Sequence, residues 1–362
     1  MRISFILSSL RLSGGVQVIV EYANRLAQRG HQIALVMPRG TVDADILSEL
    51  DSRVEVRQSR VALGTQPSLA GLLRLTWSMA RTVPPSDVVI STHTPTTAVG
   101  WLACGVWRRG RPVWLFQDYE EMFENRPYEA WLMRHALRWH ECALVVSEDS
   151  RRELSAYHKD QIVVVGEGLS HPEIFCPASA NACSRPLNQR TILFLGDMRP
   201  RKGLAEFLKA ASLVYEHLKD IRLLIISKDK AQIECTVPFE YVHRPTRSEL
   251  ADLYRACDLF VSASWREGFG IPPLEAMACA APVVLTDSGG VREYARHEEN
   301  CLMVSPRDPV ALANAMLRVL TEPDLAERLR RNGPPTAARF TWERAADRFE
   351  RALNDLYLFP RT

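Results

Sequence analysis

The chain has 362 residues, more than one ordinary hydrophobic core contains, and this length predicts two domains of typical size. Its 45 Lys and Arg side chains nearly balance its 43 Asp and Glu side chains, which argues against a nucleic-acid partner bound through counterion release. No apolar run approaches the roughly 18 residues of a membrane-spanning helix, so we expect a cytoplasmic protein whose membrane contact, if any, is peripheral at the inner face.

In the first half of the chain, short apolar runs alternate with amphipathic segments. The runs predict buried strands at residues 3–7, 33–37, 88–90, 113–116, 143–146 and 162–165. The segments at 16–29, 69–81 and 128–140 have helical periodicity. This alternation is typical of a doubly wound parallel sheet.

The second half repeats the pattern after a segment at 171–190 that is rich in Pro, Ser and Asn and is expected to be a linker. Strands are predicted at 192–195, 223–226, 259–261 and 283–285, with helices beginning at Leu204, Ser248, Pro273 and Pro309. A last amphipathic helix is predicted at 342–358. We therefore expect an α/β chain of two Rossmann-like doubly wound parallel-sheet domains facing a cleft, namely 1–175, joined by the C-terminal segment 342–362, and 176–341.

The eight cysteines are widely scattered and do not indicate a metal site. They form no C-x-x-C pair, and no histidine lies nearby at the spacing of a zinc ligand. We interpret them as reduced thiols, and they are Cys104, Cys142, Cys176, Cys183, Cys235, Cys257, Cys279 and Cys301.

The most informative segment reads WREGFGIPPLEAMA and follows the strand predicted at 259–261. Pro273 suits the first position of a helix, which leaves Glu267 in a glycine loop and places Glu275 in the first helical turn. The N–H groups of such a loop form an anion site suited to a diphosphate, and carboxylates accept hydrogen bonds from sugar and ribose hydroxyls. The alternative is that Glu275 merely caps the helix.

A second glycine turn, GDMRPRKG at 196–203, joins the strand predicted at 192–195 to the next helix. With the preceding segment, it resembles the family four glycosyltransferases of the GT-B fold, whose patterns are E-x7-E and G-R-L-x-P-x-K-G. Lys202 matches the family lysine, which with an early arginine neutralises the donor diphosphate. Asp197 stands where that arginine is expected, so Arg201 or Arg199 is the substitute, with Arg201 preferred beside Lys202. The alternative is a solvated basic turn.

The first half contains three further segments that are similar to this family. LSGGVQ at 12–17 is similar to the GGV loop of the family. The small residues Gly14 and Gly15 would let backbone N–H groups approach a phosphate or the acceptor. The alternative is a tight turn that binds no ligand. Adjacent glycines are not the dinucleotide fingerprint, which disfavours a nicotinamide oxidoreductase. His93-Thr94-Pro95 resembles the H-x-P segment of mannosyltransferase members, and the QDYE stretch that begins with Gln117 and Asp118 resembles rhamnosyl and mannosyl members.

The resemblance implies transfer of a hexose-type sugar from a nucleotide-diphosphate sugar to a hydroxyl acceptor, with retention of configuration, without a metal or cofactor, in polysaccharide, glycolipid or glycoside biosynthesis. The acceptor would be a saccharide, a lipid-linked molecule or a small molecule. The implied catalytic residues are His93, Glu267 and Lys202, and Gln117 and Asp118 would contact the acceptor. The implied donor-binding residues are Arg201, Lys202, Glu267, Gly268, Phe269, Gly270, Ile271 and Glu275. A nucleotide-sugar-binding pseudoenzyme and a GT-B nucleotide-sugar epimerase remain alternatives.

Two segments of the first half combine Leu, Trp and Arg, as a surface that docks on a membrane does. They are LAGLLRLTWSMAR at 69–81 and WLACGVWRRGR at 101–111. Because amphipathic segments of this kind usually pack on the sheet, we expect packing rather than membrane contact.

Overall fold

The computed structural model describes residues 1–64, 68–158, 161–178, 189–229 and 233–358. These residues form two compact units. The first unit comprises Met1–Gly168 and Trp342–Thr362, and the second comprises Leu169–Thr341. Within the described residues, the cysteines carry thiols rather than disulfides, whereas Cys183 lies outside those residues.

The first unit contains a parallel sheet of seven strands in the order β3-β2-β1-β4-β5-β6-β7. The strands are β1 (Arg2–Ile6), β2 (Gln32–Arg39), β3 (Val54–Ala62), β4 (Val88–Ser91), β5 (Arg111–Phe116), β6 (Cys142–Val145) and β7 (Ile162–Val164). The helices of residues 1–158 are α1 (Gly14–Gln28), α2 (Ala44–Ser48), α3 (Leu69–Thr82), α4 (Thr97–Gly105), α5 (Pro127–His135) and α6 (Glu148–Ser155).

Both faces of this sheet are covered by helices because its central strands are apolar on both sides. Ile3 and Phe5 of β1 pack with residues of α1 in one core cluster. Ile6, which points to the opposite face, packs with α3 and α4 in another. The strand order reverses between β1 and β4, and in a doubly wound sheet ligands bind at the carboxyl ends of the strands at such a point.

The second unit contains a parallel sheet of six strands in the order β10-β9-β8-β11-β12-β13. The strands are β8 (Arg190–Leu195), β9 (Ile221–Ser227), β10 (Phe239–His243), β11 (Leu259–Ser262), β12 (Val283–Thr286) and β13 (Leu302–Val304). The helices are α7 (Leu204–His217), α8 (Arg247–Ala256), α9 (Ile271–Ala278), α10 (Pro309–Thr321) and α11 (Pro323–Ala337). Here the order reverses between β8 and β11.

The last helix, α12 (Trp342–Leu358), belongs to the first unit and packs against α1. The ring of Tyr22 lies 4.4 Å from that of Phe349 and 5.2 Å from that of Trp342. Beside this aromatic contact, Arg29 of α1 forms ion pairs with acidic side chains of α12, including one of 3.0 Å to Glu350. Apolar burial and charge pairing therefore both join the end of the chain to its beginning.

The fold class predicted from the sequence is confirmed as two parallel-sheet α/β domains, but the predicted boundary between residues 175 and 176 is wrong. The structure divides the chain after Gly168, because Leu169 and Phe175 lie in a core cluster of the second unit. Phe175 packs there at 6.2 Å from the ring of Tyr254. Part of the predicted linker, residues 179–188, lies outside the described residues.

Candidate functional site

The loops that follow β8 and β11 lie side by side, because these two strands are paired in the sheet. After β8 the chain forms a short 3-10 helix, Pro200–Lys202, which ends at Gly203 in the left-handed conformation with φ of 71°. The backbone N–H of Trp265, in the loop after β11, donates a hydrogen bond of 2.7 Å to the carbonyl of Arg201. This bond fixes the two loops to each other.

Three charged side chains from these two loops meet. The Nζ of Lys202 donates to Oε1 of Glu267 at 2.6 Å. The Nη1 of Arg201 lies 3.9 Å from Oε2 of the same carboxylate and donates to the carbonyl of Arg266 at 3.2 Å. We call Arg201, Lys202 and Glu267 the charged triad. Their side chains are only 14–22 % exposed, so water screens the interaction weakly.

The electrostatics of the triad favour an ionised carboxylate. Burial raises the pKa of Glu267, but the positive charges of Lys202 and Arg201, together with hydrogen bonds from Lys202 and Ser264, lower it below its ordinary value. One carboxylate then faces two cations. The three groups together keep an excess of positive charge, which suits an anionic ligand such as a diphosphate.

The backbone around Glu267 is held by the neighbouring strand connection. Its N–H donates to the carbonyl of Ser288 at 2.8 Å, and its carbonyl accepts from the N–H of Gly290 at 3.0 Å. A Cβ atom at Gly290 would lie 2.1 Å from the carbonyl oxygen of Gly268, so this approach requires glycine. Glycine at 290 thus fixes the loop that presents the triad carboxylate.

The start of α9 differs from the sequence prediction. The helix begins at Ile271 rather than Pro273, since prolines at its second and third positions need no hydrogen-bond partner for their nitrogens. Gly270, the residue before the helix, has φ of 89° and provides no side-chain cap. Glu275 therefore lies in the second turn, and helix capping does not explain it.

Among the predicted donor-binding residues, Phe269 and Ile271 have apolar neighbours. The ring of Phe269 is buried at 5.7 Å from Tyr294 and 5.8 Å from Phe340. Ile271 is partly buried against the same core cluster. The loop from Gly268 to Ile271 can thus offer backbone groups to a ligand, while the phenyl ring anchors it to the core.

Glu275 is half-buried and accepts a hydrogen bond of 3.3 Å from the hydroxyl of Tyr254 on α8. Burial raises the pKa of Glu275 to about 7, against the opposing effects of the Tyr254 hydrogen bond and the positive charge of Arg247. In the part of the chain that the structure describes, its hydrogen-bond partner is Tyr254 and not a cation of the triad. Structure thus brings Glu267, Lys202 and Arg201 together and places Glu275 in a separate, apolar environment.

Asp197, which stands where the family arginine is expected, is buried and bound to Arg199. The Nε of Arg199 donates to both carboxylate oxygens of Asp197 at 2.8 and 3.0 Å. Of the two arginines considered as substitutes, Arg199 thus pairs with Asp197, and Arg201 lies beside Glu267.

In the first unit, residues after three neighbouring strands converge. Gly14 and Gly15 are the first residues of α1, whose N-cap Ser13 accepts from the N–H of Val16, so they begin a helix rather than form a separate tight turn. A Cβ atom at Gly15 would lie 3.3 Å from Oε1 of Gln117 and 3.4 Å from Cε1 of His93, whereas one at Gly14 would meet open space. Gly15, His93 and Gln117 are therefore immediate neighbours.

Asp118 contacts His93 and the backbone, and its predicted contact with an acceptor stays a prediction. Its Oδ1 lies 3.2 Å from Nδ1 of His93, and its Oδ2 accepts from the N–H of Thr94 at 2.6 Å. Its side chain is only 4 % exposed. Asp118 thus orients the histidine ring, a pairing that its position directly after a strand next to that of His93 could have revealed.

The His93–Asp118 pair is electrostatically coupled. Burial lowers the pKa of His93, but the hydrogen bond and charge of Asp118 raise it above the ordinary value. Burial likewise opposes ionisation of Asp118, while His93 and the N–H of Thr94 lower its pKa. Beside this pair, Nε2 of Gln117 is buried without a hydrogen-bond partner among the described residues, so a ligand oxygen there would satisfy it.

The described residues contain no group of three or more His, Cys, Asp or Glu side chains arranged to bind a metal ion. None of their helices combines the length and the apolar character needed to cross a bilayer.

The chain matches two family models that together cover most of its length. Residues 13–168 match the glycosyl transferase 4-like domain, and residues 189–322 match the glycosyl transferases group 1. The chain is 29 % identical, over 93 % of its length and 88 % of the relative, to D-inositol 3-phosphate glycosyltransferase of Thermobispora bispora.

Solved structures show the same fold. Sucrose-phosphate synthase from Thermosynechococcus elongatus has a TM-score of 0.80 at 17 % identity, with 99 % of each chain covered. The Anabaena protein HepE in complex with UDP-glucose has a TM-score of 0.78 at 18 % identity, with 98 % of this chain and 100 % of that one covered. These matches agree with the two parallel sheets and with the motifs at both strand-order reversals, and the chain belongs to the family four glycosyltransferases of the GT-B fold.

Proposed function

We propose that this glycosyltransferase moves a hexose-type sugar from a nucleotide-diphosphate sugar to a hydroxyl acceptor, with retention of configuration and without a metal ion. In this reaction the bond between the anomeric carbon and the diphosphate breaks. A bond from that carbon to the acceptor oxygen forms, and the acceptor hydroxyl loses its proton. The observation that supports the proposal most is the charged triad at the carboxyl ends of β8 and β11.

The two cations of the triad are suited to the leaving diphosphate. Negative charge grows on that group as the sugar departs, and fixed cations in a poorly screened site stabilise such charge more than they stabilise the bound substrate. Lys202 supplies a primary ammonium and Arg201 a planar guanidinium for this purpose. They replace the charge that a metal ion would provide.

The carboxylates have separate roles in this proposal. Glu267, ionised and fixed between Lys202 and the backbone of Ser288, accepts hydrogen bonds from hydroxyls of the transferring sugar. Glu275 accepts a hydrogen bond from a ribose hydroxyl, and the backbone of residues 268–271 contacts the phosphates. The hydroxyl of Tyr254 contacts Oε2 of Glu275, and Oε1 is the oxygen that would accept the ribose hydroxyl.

The first unit supplies the acceptor side. Asp118 orients His93 through Nδ1 and leaves Nε2 for the acceptor, and the buried Nε2 group of Gln117 donates to a hydroxyl of the acceptor. Gly15 lets the start of α1 approach both side chains, and open space beside Gly14 leaves room for a phosphate or a hydroxyl. Asp118 is a positioning residue in this scheme.

Donor and acceptor candidates follow from the similar proteins. UDP-glucose is the first donor to test, because HepE is described in complex with it. D-inositol 3-phosphate is the first acceptor, because the Thermobispora bispora relative is named for its transfer to that molecule. Other saccharides and lipid-linked alcohols complete the acceptor panel, in line with a role in polysaccharide, glycolipid or glycoside biosynthesis.

The experiment has two stages. Thermal unfolding with a panel of nucleotide-diphosphate sugars identifies the donor, because a ligand at about 100 times its Kd stabilises the fold by about 2.7 kcal/mol. Transfer is then measured for Lys202→Ala and Glu267→Ala, with Lys209→Ala and Glu216→Ala of α7 as controls whose side chains are exposed.

We expect both triad variants to lose about several hundredfold in turnover and the controls to lose little. Near-normal turnover of both triad variants would contradict the proposal. Donor binding without consumption across the acceptor panel would indicate a binding protein instead, and conversion of the donor alone would indicate an epimerase.

A further inference from the structure

Helix α3 exposes an apolar stripe as well as burying one. Leu75, Met79 and Ala80 pack on the sheet, as the sequence predicted. By contrast, Leu69 is 75 % exposed, Leu73 63 % and Trp77 50 %. These three residues recur every fourth position, so they form one continuous stripe that is exposed beside the residues of the helix that pack on the sheet.

Two further aromatic pairs involve α4 and the residues just after it. Trp77 packs edge-on against Trp107, just after α4, with ring centroids 4.7 Å apart. Trp101 of α4 is 48 % exposed and lies 6.1 Å from the ring of Trp139. Since α3 and α4 share one core cluster, they lie on the same face of the sheet.

Positive charge predominates along this part of the chain. Between residues 56 and 117 the sequence contains seven arginines and a single acidic residue, Asp87. Two of these arginines are paired with carboxylates, Arg57 with Glu55 and Arg111 with Glu141. The carboxylate of Asp87 is bonded to Arg2 at 2.7 Å through the backbone N–H and at 3.1 Å through the guanidinium. Arg74 and Arg81 on α3 are exposed beside the stripe. Because the whole chain has a formal charge of only +2, this basic region is a local feature.

A helix face with exposed leucine and tryptophan and with the exposed Arg74 and Arg81 matches the boundary of an anionic bilayer. Tryptophan prefers the interfacial layer, leucine enters the acyl region, and each arginine near an anionic surface adds about 1 kcal/mol of attraction. A second copy of the chain is a poorer occupant, because symmetric pairing of this face would bring arginines against arginines.

We propose that the α3–α4 face, defined by Leu69, Leu73, Arg74, Trp77, Arg81 and Trp101, docks the protein on membranes that contain anionic lipid. The contact is peripheral and reversible, since a few inserted side chains and a small number of cations give modest affinity. The inference does not depend on the reaction proposed above, because it uses none of the residues assigned to donor or acceptor.

Vesicle flotation of the full chain tests this assignment. Vesicles of phosphatidylcholine alone are compared with vesicles that contain about 30 % phosphatidylglycerol, at about 0.1 M and about 0.5 M salt, since screening shortens the reach of exposed charges. We expect binding to the anionic vesicles at low salt, weaker binding at high salt, and little binding to phosphatidylcholine.

Two variants separate the apolar contribution from the charged one. Leu73→Ser with Trp77→Ser removes part of the stripe, and Arg74→Glu with Arg81→Glu reverses two charges. Each should weaken binding to anionic vesicles at least about tenfold. Arg328→Glu with Arg331→Glu, two exposed positions on α11, makes the same change in net charge and should leave binding unaltered. Unfolding midpoints and donor binding are measured for all variants, and the charge-reversal pair remains informative if the serine variant does not fold.

Three results would overturn the proposal. The first is equal binding of the protein to both kinds of vesicle, and the second is undiminished binding of the charge-reversed α3 variant to anionic vesicles. The third is a wild-type protein that does not bind vesicles but forms a concentration-dependent dimer, which the serine variant of the stripe abolishes. The last result would identify the face as a contact between copies of the chain.

Discussion

Glu275 gives a prediction in which stability and ligand binding change in opposite directions. Replacing Glu275 by Gln keeps the size of the side chain and keeps an oxygen to accept the hydroxyl of Tyr254. It removes a charge that the apolar surroundings of the folded protein disfavour. The variant should therefore fold more stably than the wild type wherever the wild-type carboxyl is ionised.

The size and the pH range of the effect follow from the pKa. Burial raises the pKa of Glu275 from 4.5 to about 7 in the folded state. At about 1.4 kcal/mol per pH unit, this difference corresponds to roughly 3 kcal/mol. Because the folded state binds the proton more tightly, the wild type loses this stability as the pH rises from 4.5 through about 7.

Urea unfolding of both proteins at about pH 4 and about pH 8 measures the effect. We expect nearly equal free energies of unfolding at the lower pH and an advantage of about 2–3 kcal/mol for Glu275→Gln at the higher one. Donor binding should weaken about tenfold, since an amide oxygen accepts a hydroxyl less strongly than a carboxylate. An equal difference in stability at both pH values would refute the reasoning.

Two further predictions concern other parts of the site. Asp118→Asn should lower the pKa of His93, because the carboxylate of Asp118 raises it. Turnover should fall about tenfold or more, whereas donor affinity should not change. NMR titration of the histidine ring measures the pKa, and an unchanged pKa of His93 would contradict the pairing. Gly203→Ala should destabilise the second unit by at least about 2 kcal/mol, since φ is 71° and the new Cβ would lie 2.0 Å from the carbonyl oxygen of Ala263. Gly30→Ala is the control, because Gly30 has φ of 88° but no atom lies within 4 Å of the added Cβ. This change should lower the free energy of unfolding of the first unit by only about 1 kcal/mol, as measured by thermal unfolding. Equal losses for Gly203→Ala and Gly30→Ala would contradict the steric explanation.

The central strands and one edge strand, β7, could be predicted from the sequence, while the edge strands β3, β10 and β13 could not. Strands β1, β4, β8 and β11 have neighbours on both sides and helices on both faces, so they appear as continuous apolar runs. The sequences of β3 (VEVRQSRVA) and β10 (FEYVH) include charged residues because an edge strand is only half covered. The three-residue edge strand β13 was not predicted either.

The residues of the triad could be predicted because they follow buried strands in glycine-rich turns, but their contacts could not. The sequence left Arg199 and Arg201 as alternatives, and only the structure shows that Asp197 binds Arg199. Sequence spacing also gave no means of knowing that Phe269 packs inward. That outcome depends on Tyr294 and Phe340, which are distant in the chain.

The central claim is that Lys202 binds the diphosphate of the donor, and calorimetric titration tests it most directly. The ligands are the nucleoside diphosphate of the identified donor and the corresponding nucleoside, which lacks phosphate. The proteins are the wild type, Lys202→Met and the control Lys209→Met. We predict that Lys202→Met weakens binding of the diphosphate by about ten to a hundredfold and leaves binding of the nucleoside unchanged. A Kd for the diphosphate that is the same in Lys202→Met as in the wild type would contradict the account.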